Sequence, residues 1–184
     1  MVPLLEDAAE LEEAHRELRT GQVGRHWRLG ALNRAAIVMC LSAWEAYVEE
    51  VVKEAIETFR PNPADRTLWQ SINADARSQI RRFHNPNPDN VRDLIARTIG
   101  LQDITDSWAW QNTTPQQARE RLNKAIRIRH EVAHGVNPRP TVHNSYASAL
   151  PGFFRKLGIS TDKAIRDYLS ATLHVRRPWP SRAG

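Results

Sequence analysis

The stretch Ile128-Arg129-His130-Glu131-Val132-Ala133-His134-Gly135 concentrates the groups in this chain that can do chemistry. His130 and His134 stand one helical turn apart, on a common side of a helix. Imidazole titrates near neutrality, so either ring can give or take a proton. Arg129 keeps its charge and can grip two oxygens of an anion at once. It also falls on an apolar stripe with Ala118, Leu122, Ala125, Ile126, Val132 and Ala133, so its neighbours face a core. Buried arginine is rare unless paired, because stripping its water is costly. Two readings follow: a buried ion pair with an acid such as Glu45 or Glu49, or a guanidinium kept in a cleft to meet an anion.

His130-Glu131-Val132-Ala133-His134 also matches H-E-x-x-H, in which two imidazoles bind zinc and the glutamate activates water. Such a zinc protease needs a third protein ligand. Downstream of His134 there is no Glu, and the Gly and His of the extended pattern would fall at Asn137 and Pro140. His143, Asp162, Asp167 and His174 remain as candidate ligands. The motif helix stops at Gly135, however, and no strand is at hand to hold a peptide. Zinc proteolysis is therefore the minor reading, and neither metal nor cofactor is expected.

The element that must position these residues has well-marked ends. Thr114 suits an N-cap, Pro115 the first helical residue and Gln117 the reciprocal capping-box partner. Gly135 sits where a helix-ending glycine belongs, ahead of Pro138 and Pro140. The rest of the chain is helical too, with no strand-like alternation. Pro3 to Arg19 is acidic and helix-prone. Trp27 to Phe59 carries Leu29, Leu32, Ala36, Met39, Cys40, Ala43, Tyr47, Val51, Ala55 and Phe59 at three- and four-residue spacing, and Pro61 and Pro63 close it. Further helices are expected over Ala64–Phe83, Asp89–Ile99, Thr141–Leu157 with a bend at Pro151, and Asp162–His174. The sum is an all-α bundle with one long central helix, a single domain over 1–175, and a basic, loose tail over 176–184.

Composition bounds what such a bundle does. The 184 residues are 41% hydrophobic and 26% charged, which fits a folded soluble domain. The longest apolar run, Ala35 to Leu41, is too short to cross a bilayer, and the start lacks the basic region of a signal peptide. Cys40, the one cysteine, excludes an internal disulfide and suits a reducing cytoplasm. Residues 1–60 carry 7 Lys/Arg against 11 Asp/Glu, whereas 61–184 carry 19 against 10. Arginine makes up 22 of the 26 basic residues. That bias fits contact with nucleic-acid phosphates, and it equally fits a GC-rich coding sequence. Of the six tryptophans, Trp44 belongs to the core. Trp108 and Trp110 straddle Ala109, so one of them is free to pack in a satellite core, meet an interface or stack on a base.

Arg129, the polar His130 after it and His134 with four residues between resemble the signature of HEPN domains. Arg127 also meets the spacing, but Ile128 follows it where that family prefers a polar residue. The ending Val132-Ala133-His134-Gly135 looks like the RiboL-PSP-HEPN branch. Leu41-Ser42-Ala43-Trp44-Glu45-Ala46-Tyr47-Val48-Glu49-Glu50 is similar to the branch's "AWEAYVE" stretch. The resemblance implies a helical bundle, a homodimer and, in active members, metal-independent cleavage of RNA. It also implies a toxin or phage-defence role, with a cognate antitoxin or regulatory protein as a candidate partner.

The residues suit that chemistry. Cleaving RNA through its own 2′-hydroxyl needs a base, an acid for the departing 5′-oxygen and positive charge on the phosphoryl oxygens. His134 is assigned as base or acid, Arg129 as the phosphate clamp, and His130 as a lesser candidate that orients substrate. One such set leaves the acid–base pair incomplete, and a two-fold dimer would complete it. The rival reading is a non-catalytic HEPN-like module that binds RNA or protein.

Overall fold

The computed structural model describes residues 2–18, 27–58, 66–133, 142–175 and 178–179. They form α1 (Val2–Glu17), α2 (Trp27–Glu57), α3 (Arg66–Arg81), α4 (Pro88–Ile99), α5 (Pro115–Ala133), α6 (Asn144–Ser148) and α7 (Leu150–Ala171), with a 3-10 turn at Ile104–Ser107. Among the described residues the only strand-like pairing is an isolated bridge between Trp110 and Thr113. The fold is all-α, as the helical periodicity predicts. The chain gathers into two compact units, one of residues 1–44 and 120–156, the other of 45–119 and 157–184. Helices α2, α5 and α7 contribute residues to both.

The first unit is built on the front half of α2. Ala36, Ile37, Cys40, Leu41, Ala43 and Trp44 are buried there at three- and four-residue spacing. Trp44 stands 6.4 Å from the Phe154 ring, which in turn meets Phe153 edge-on at 5.2 Å. Trp44 is 0% exposed, so Trp44→Ala would cost about 3–5 kcal/mol. Polar ties join the edges of this unit. Asn33, itself buried, donates to the Val142 carbonyl at 3.0 Å, and α6 packs on α1.

The second unit takes the rear half of α2, where Tyr47, Val48, Val51, Val52, Ala55 and Ile56 continue the stripe. Asn87 caps α4 by accepting the Asn90 N–H at 2.7 Å, and Pro88 opens the helix. Gly100 ends it at φ 85°, a conformation that favours glycine, and a Cβ there would sit 2.9 Å from the Tyr168 hydroxyl. The 3-10 turn was not legible in the apolar pattern. Asp103 starts it, accepting from the Thr105 N–H at 2.9 Å and the Thr105 hydroxyl at 2.7 Å.

The C-terminal helices divide differently from expectation. In place of a break between Leu157 and Asp162, α7 runs unbroken from Leu150 to Ala171, and the shorter α6 precedes it. Pro151 lies in the first turn of α7, where its missing N–H leaves no bond unmade, so it starts the helix rather than bending it. One tertiary bond and one bond within the helix accompany its Gly158–Thr161 stretch. The Tyr47 hydroxyl donates to the Gly158 carbonyl at 2.8 Å, and the Thr161 hydroxyl donates to the Leu157 carbonyl at 2.8 Å. Trp108 is fully buried and donates to Thr161 Oγ1 at 3.0 Å, which gives it a core role. Trp110 is half-buried in the bridge turn. Trp179, within the segment expected to be loose, is 8% exposed and donates to Asp162 Oδ1 at 2.8 Å.

Candidate active site

The helix that carries the Arg–His motif is held at its start by the capping box its sequence suggests. The Thr114 N–H donates to Gln117 Oε1 at 2.9 Å, and the Gln117 N–H donates to Thr114 Oγ1 at 3.3 Å. One turn on, Arg119 reaches the Thr105 hydroxyl at 3.0 Å and Asp106 at 3.2 Å. Ala118, Leu122 and Ala125 are then 0% exposed. Their stripe opens along the last two turns: Ile126, Arg129 and Val132 are half-buried and Ala133 is exposed.

Arg129 therefore sits at the margin of the apolar stripe rather than deep in it. Among the described residues of its unit no carboxylate forms an ion pair with it. Glu49, one acid weighed for that pair, holds Lys53 at 3.2 Å instead. A half-buried guanidinium with no carboxylate partner among the described residues of its unit is suited to take an anion. His130 is exposed and Glu131 half-buried. His134 and Gly135, the residue expected to end the helix, lie outside the described residues, so the spacing of His134 from Arg129 is a property of the sequence. Among the described residues no group of three His, Cys, Asp or Glu is arranged to hold a metal ion, and the His130–His134 pair of the H-E-x-x-H match falls outside that statement.

Arg127 has a different setting, which separates the two arginines that fit the motif spacing. It is exposed and shares a face with Arg121 and Lys124 at three-residue steps. That face packs on the α6–α7 region. Lys124 Nζ lies 4.4 Å from the Tyr146 ring centre, and the Arg121 guanidinium lies 4.9 Å from that of Phe153. Arg121 also donates to the Ala149 carbonyl at 3.2 Å, while the Tyr146 hydroxyl donates to the Arg121 carbonyl at 3.4 Å. Burial pushes the Tyr146 hydroxyl up to about 12, against the opposing pull of Arg121 and Arg127. Tyr146 is thus neutral at working pH.

Sequence reasoning missed the supports around this helix. Tyr146 and Phe153 lie beyond the motif, and nothing in their local pattern ties them to Lys124 or Arg121. Glu12 and His15, both buried, form with half-buried Asn144 a polar group in the same unit that periodicity alone reads as helix surface. The only sequence signal is three-residue spacing of Glu12 and His15 beside Leu5 and Ala8, the inward positions of α1. Cys40 is buried as well. Loss of solvation pushes its thiol up to about 12, with the negative field of Glu12 adding to the effect.

The family model described as RiboL-PSP-HEPN matches residues 4–167. No curated protein and no solved structure matches the chain.

Proposed function

The chain belongs to the RiboL-PSP-HEPN family, and on that premise we propose that it is a metal-independent endoribonuclease. The observation that carries this reading is Arg129, half-buried at the open end of the α5 stripe, with polar His130 next to it and His134 five positions on. In the proposed reaction the RNA 2′-oxygen attacks the adjacent phosphorus. A bond from the 2′-oxygen to phosphorus forms, and the bond from phosphorus to the 5′-oxygen breaks. One imidazole takes the 2′-hydroxyl proton and a second gives a proton to the departing 5′-oxygen. Arg129 neutralises charge that grows on the phosphoryl oxygens. The product strands end in a 2′,3′-cyclic phosphate and a 5′-hydroxyl.

His134 is the proton-transfer group and His130 orients the substrate. The second His134 comes from another copy of the chain, so the working enzyme is a homodimer with a composite cleft. A nuclease of this kind serves as a toxin or phage-defence effector held in check by a partner protein. Among the described residues no helix is long and apolar enough to cross a membrane.

The test is incubation of the purified protein with single-stranded RNA and with DNA of the same sequence. Cyclic-phosphate ends on RNA and intact DNA are expected, because DNA lacks the attacking hydroxyl. RNA that stays whole while binding tightly would favour the non-catalytic module instead.

A further inference from the structure

Two cavities open along α3 in the second unit, and their charges differ. One, of about 210 Å³, is bordered by Lys53, Arg77, Arg81 and His84 together with Glu49. Its cations are partly neutralised: Lys53 meets Glu49 at 3.2 Å and Arg77 meets Glu57 at 3.9 Å. The other, of about 320 Å³, lies between α3 and α4. Phe83 and Leu94, each 5% exposed, contribute apolar surface to it. Arg82 and Arg97 border it, both exposed, and among the described residues of this unit neither meets a carboxylate. Its one acid, Asp93, is already held by Arg92 at 3.2 Å. Asn90 is anchored by its Nδ2, which donates to the Asn85 carbonyl at 2.8 Å, so its Oδ1 is left as an acceptor.

Apolar surface, side-chain amides and two unneutralised guanidiniums in one small cleft match the parts of a nucleotide. A base lies against apolar side chains, an amide reads its edge, and arginine forks take phosphates. The volume lies at the small end of ligand sites, room for one nucleotide rather than a folded partner. We propose that the α3–α4 cleft is an RNA-binding subsite, which takes one nucleotide of the substrate strand with its phosphates on Arg82 and Arg97. The choice of ligand rests on the ribonuclease reading. The cleft does no chemistry: it holds the strand, so it sets affinity for long RNA and leaves turnover alone.

The experiment titrates salt against binding of a long, uncleavable 2′-O-methyl single strand, for the wild type and R82A/R97A. Each phosphate contact on a single strand adds about 0.7 to the log–log salt slope. The double variant should therefore lose about 1.4 from the slope and bind about 25-fold more weakly near 0.1 M salt. With cleavable RNA its KM should rise by a similar factor while kcat holds, and on a dinucleotide substrate neither should change. R82K/R97K, which keeps both charges, should retain most of the slope, and Arg155→Ala, an exposed arginine of the other unit, should leave it whole. An unchanged slope in R82A/R97A would overturn the proposal. So would mononucleotides that displace the strand at concentrations comparable to its own, or a variant that keeps RNA but loses an acidic peptide. Cleavage with an unaltered slope removes the subsite alone, whereas cleft-dependent binding without any cleavage removes the ribonuclease reading alone.

Discussion

Asn144 Nδ2 donates to Glu12 Oε2 at 2.8 Å, which ties the start of α6 to α1 across 132 positions of sequence. The same nitrogen lies 3.1 Å from His15 Nδ1, and both α1 side chains are under one-tenth exposed. Burial raises the Glu12 carboxyl above its ordinary value, although the Arg16 charge opposes this. Glu12 Oε1 is buried with no hydrogen-bond partner among the described residues, which leaves a charge there poorly compensated.

A pH dependence of stability follows from this tie. A carboxyl raised by folding binds its proton more tightly in the folded state. Its contribution is therefore fully present below the ordinary carboxyl value and is lost as pH rises through the raised one. Glu12→Gln keeps an oxygen for Asn144 and removes the charge. Thermal melts should show wild type losing stability relative to Glu12→Gln from acid toward neutral pH. Parallel curves for the two proteins would sink this account.

The start of α5 gives a second measurement. Thr114→Ala removes the hydroxyl that accepts the Gln117 N–H. Loss of such a cap costs about 1 kcal/mol, or roughly 2–4 °C in Tm for a domain of this size. Since the box lies far along the helix from Arg129, catalytic constants should change little once the protein is folded. A drop in kcat without a drop in Tm would contradict that division.

Substitution at the motif separates its two candidate arginines. Arg129→Ala should cost about 100- to 1,000-fold in cleavage, as loss of a charge contact made in the transition state. His134→Ala should cost about 100- to 10,000-fold, as loss of a proton-transfer group. Arg127→Ala should keep most activity, since Arg127 stands on the Lys124–Tyr146 side of the helix. A dead Arg127→Ala with an active Arg129→Ala would move the motif by two residues.

The proposed composite cleft would require two copies of the chain. Light scattering at tens of micromolar should give twice the 21.0 kDa of one chain. A monomer at that concentration that still cleaves RNA would remove the need for a partner's histidine.

Chelator and pH distinguish imidazole chemistry from zinc chemistry at the shared His134. Cleavage should persist in excess EDTA and follow a bell-shaped pH profile. Glu131→Gln should be tolerated, whereas in a zinc hydrolase it would remove the water-activating base. Activity lost both to EDTA and to Glu131→Gln would overturn the ribonuclease.

Local chemistry was enough to read much of this protein from its residues. The Thr114–Gln117 box, the run of buried α2 positions from Ala36 to Ala55 and the Gly100 stop each follow from contacts within a few residues, so their spacing encodes them. The family signature is local as well, because Arg129, His130 and His134 lie within six positions of one another in sequence. Other features depended on partners distant in sequence. Pro151 could equally bend a helix or begin one, and the bonds from Tyr47 to Gly158 and from Trp108 to Thr161 accompany the unbroken helix. Arg129 read as buried from its stripe, yet the stripe opens before its end, and only packing sets where that happens. The Glu12–Asn144 tie and the α3–α4 cleft join residues that no periodicity relates. Their energetics come from desolvation and unneutralised charge, which are set by what the folded chain brings near.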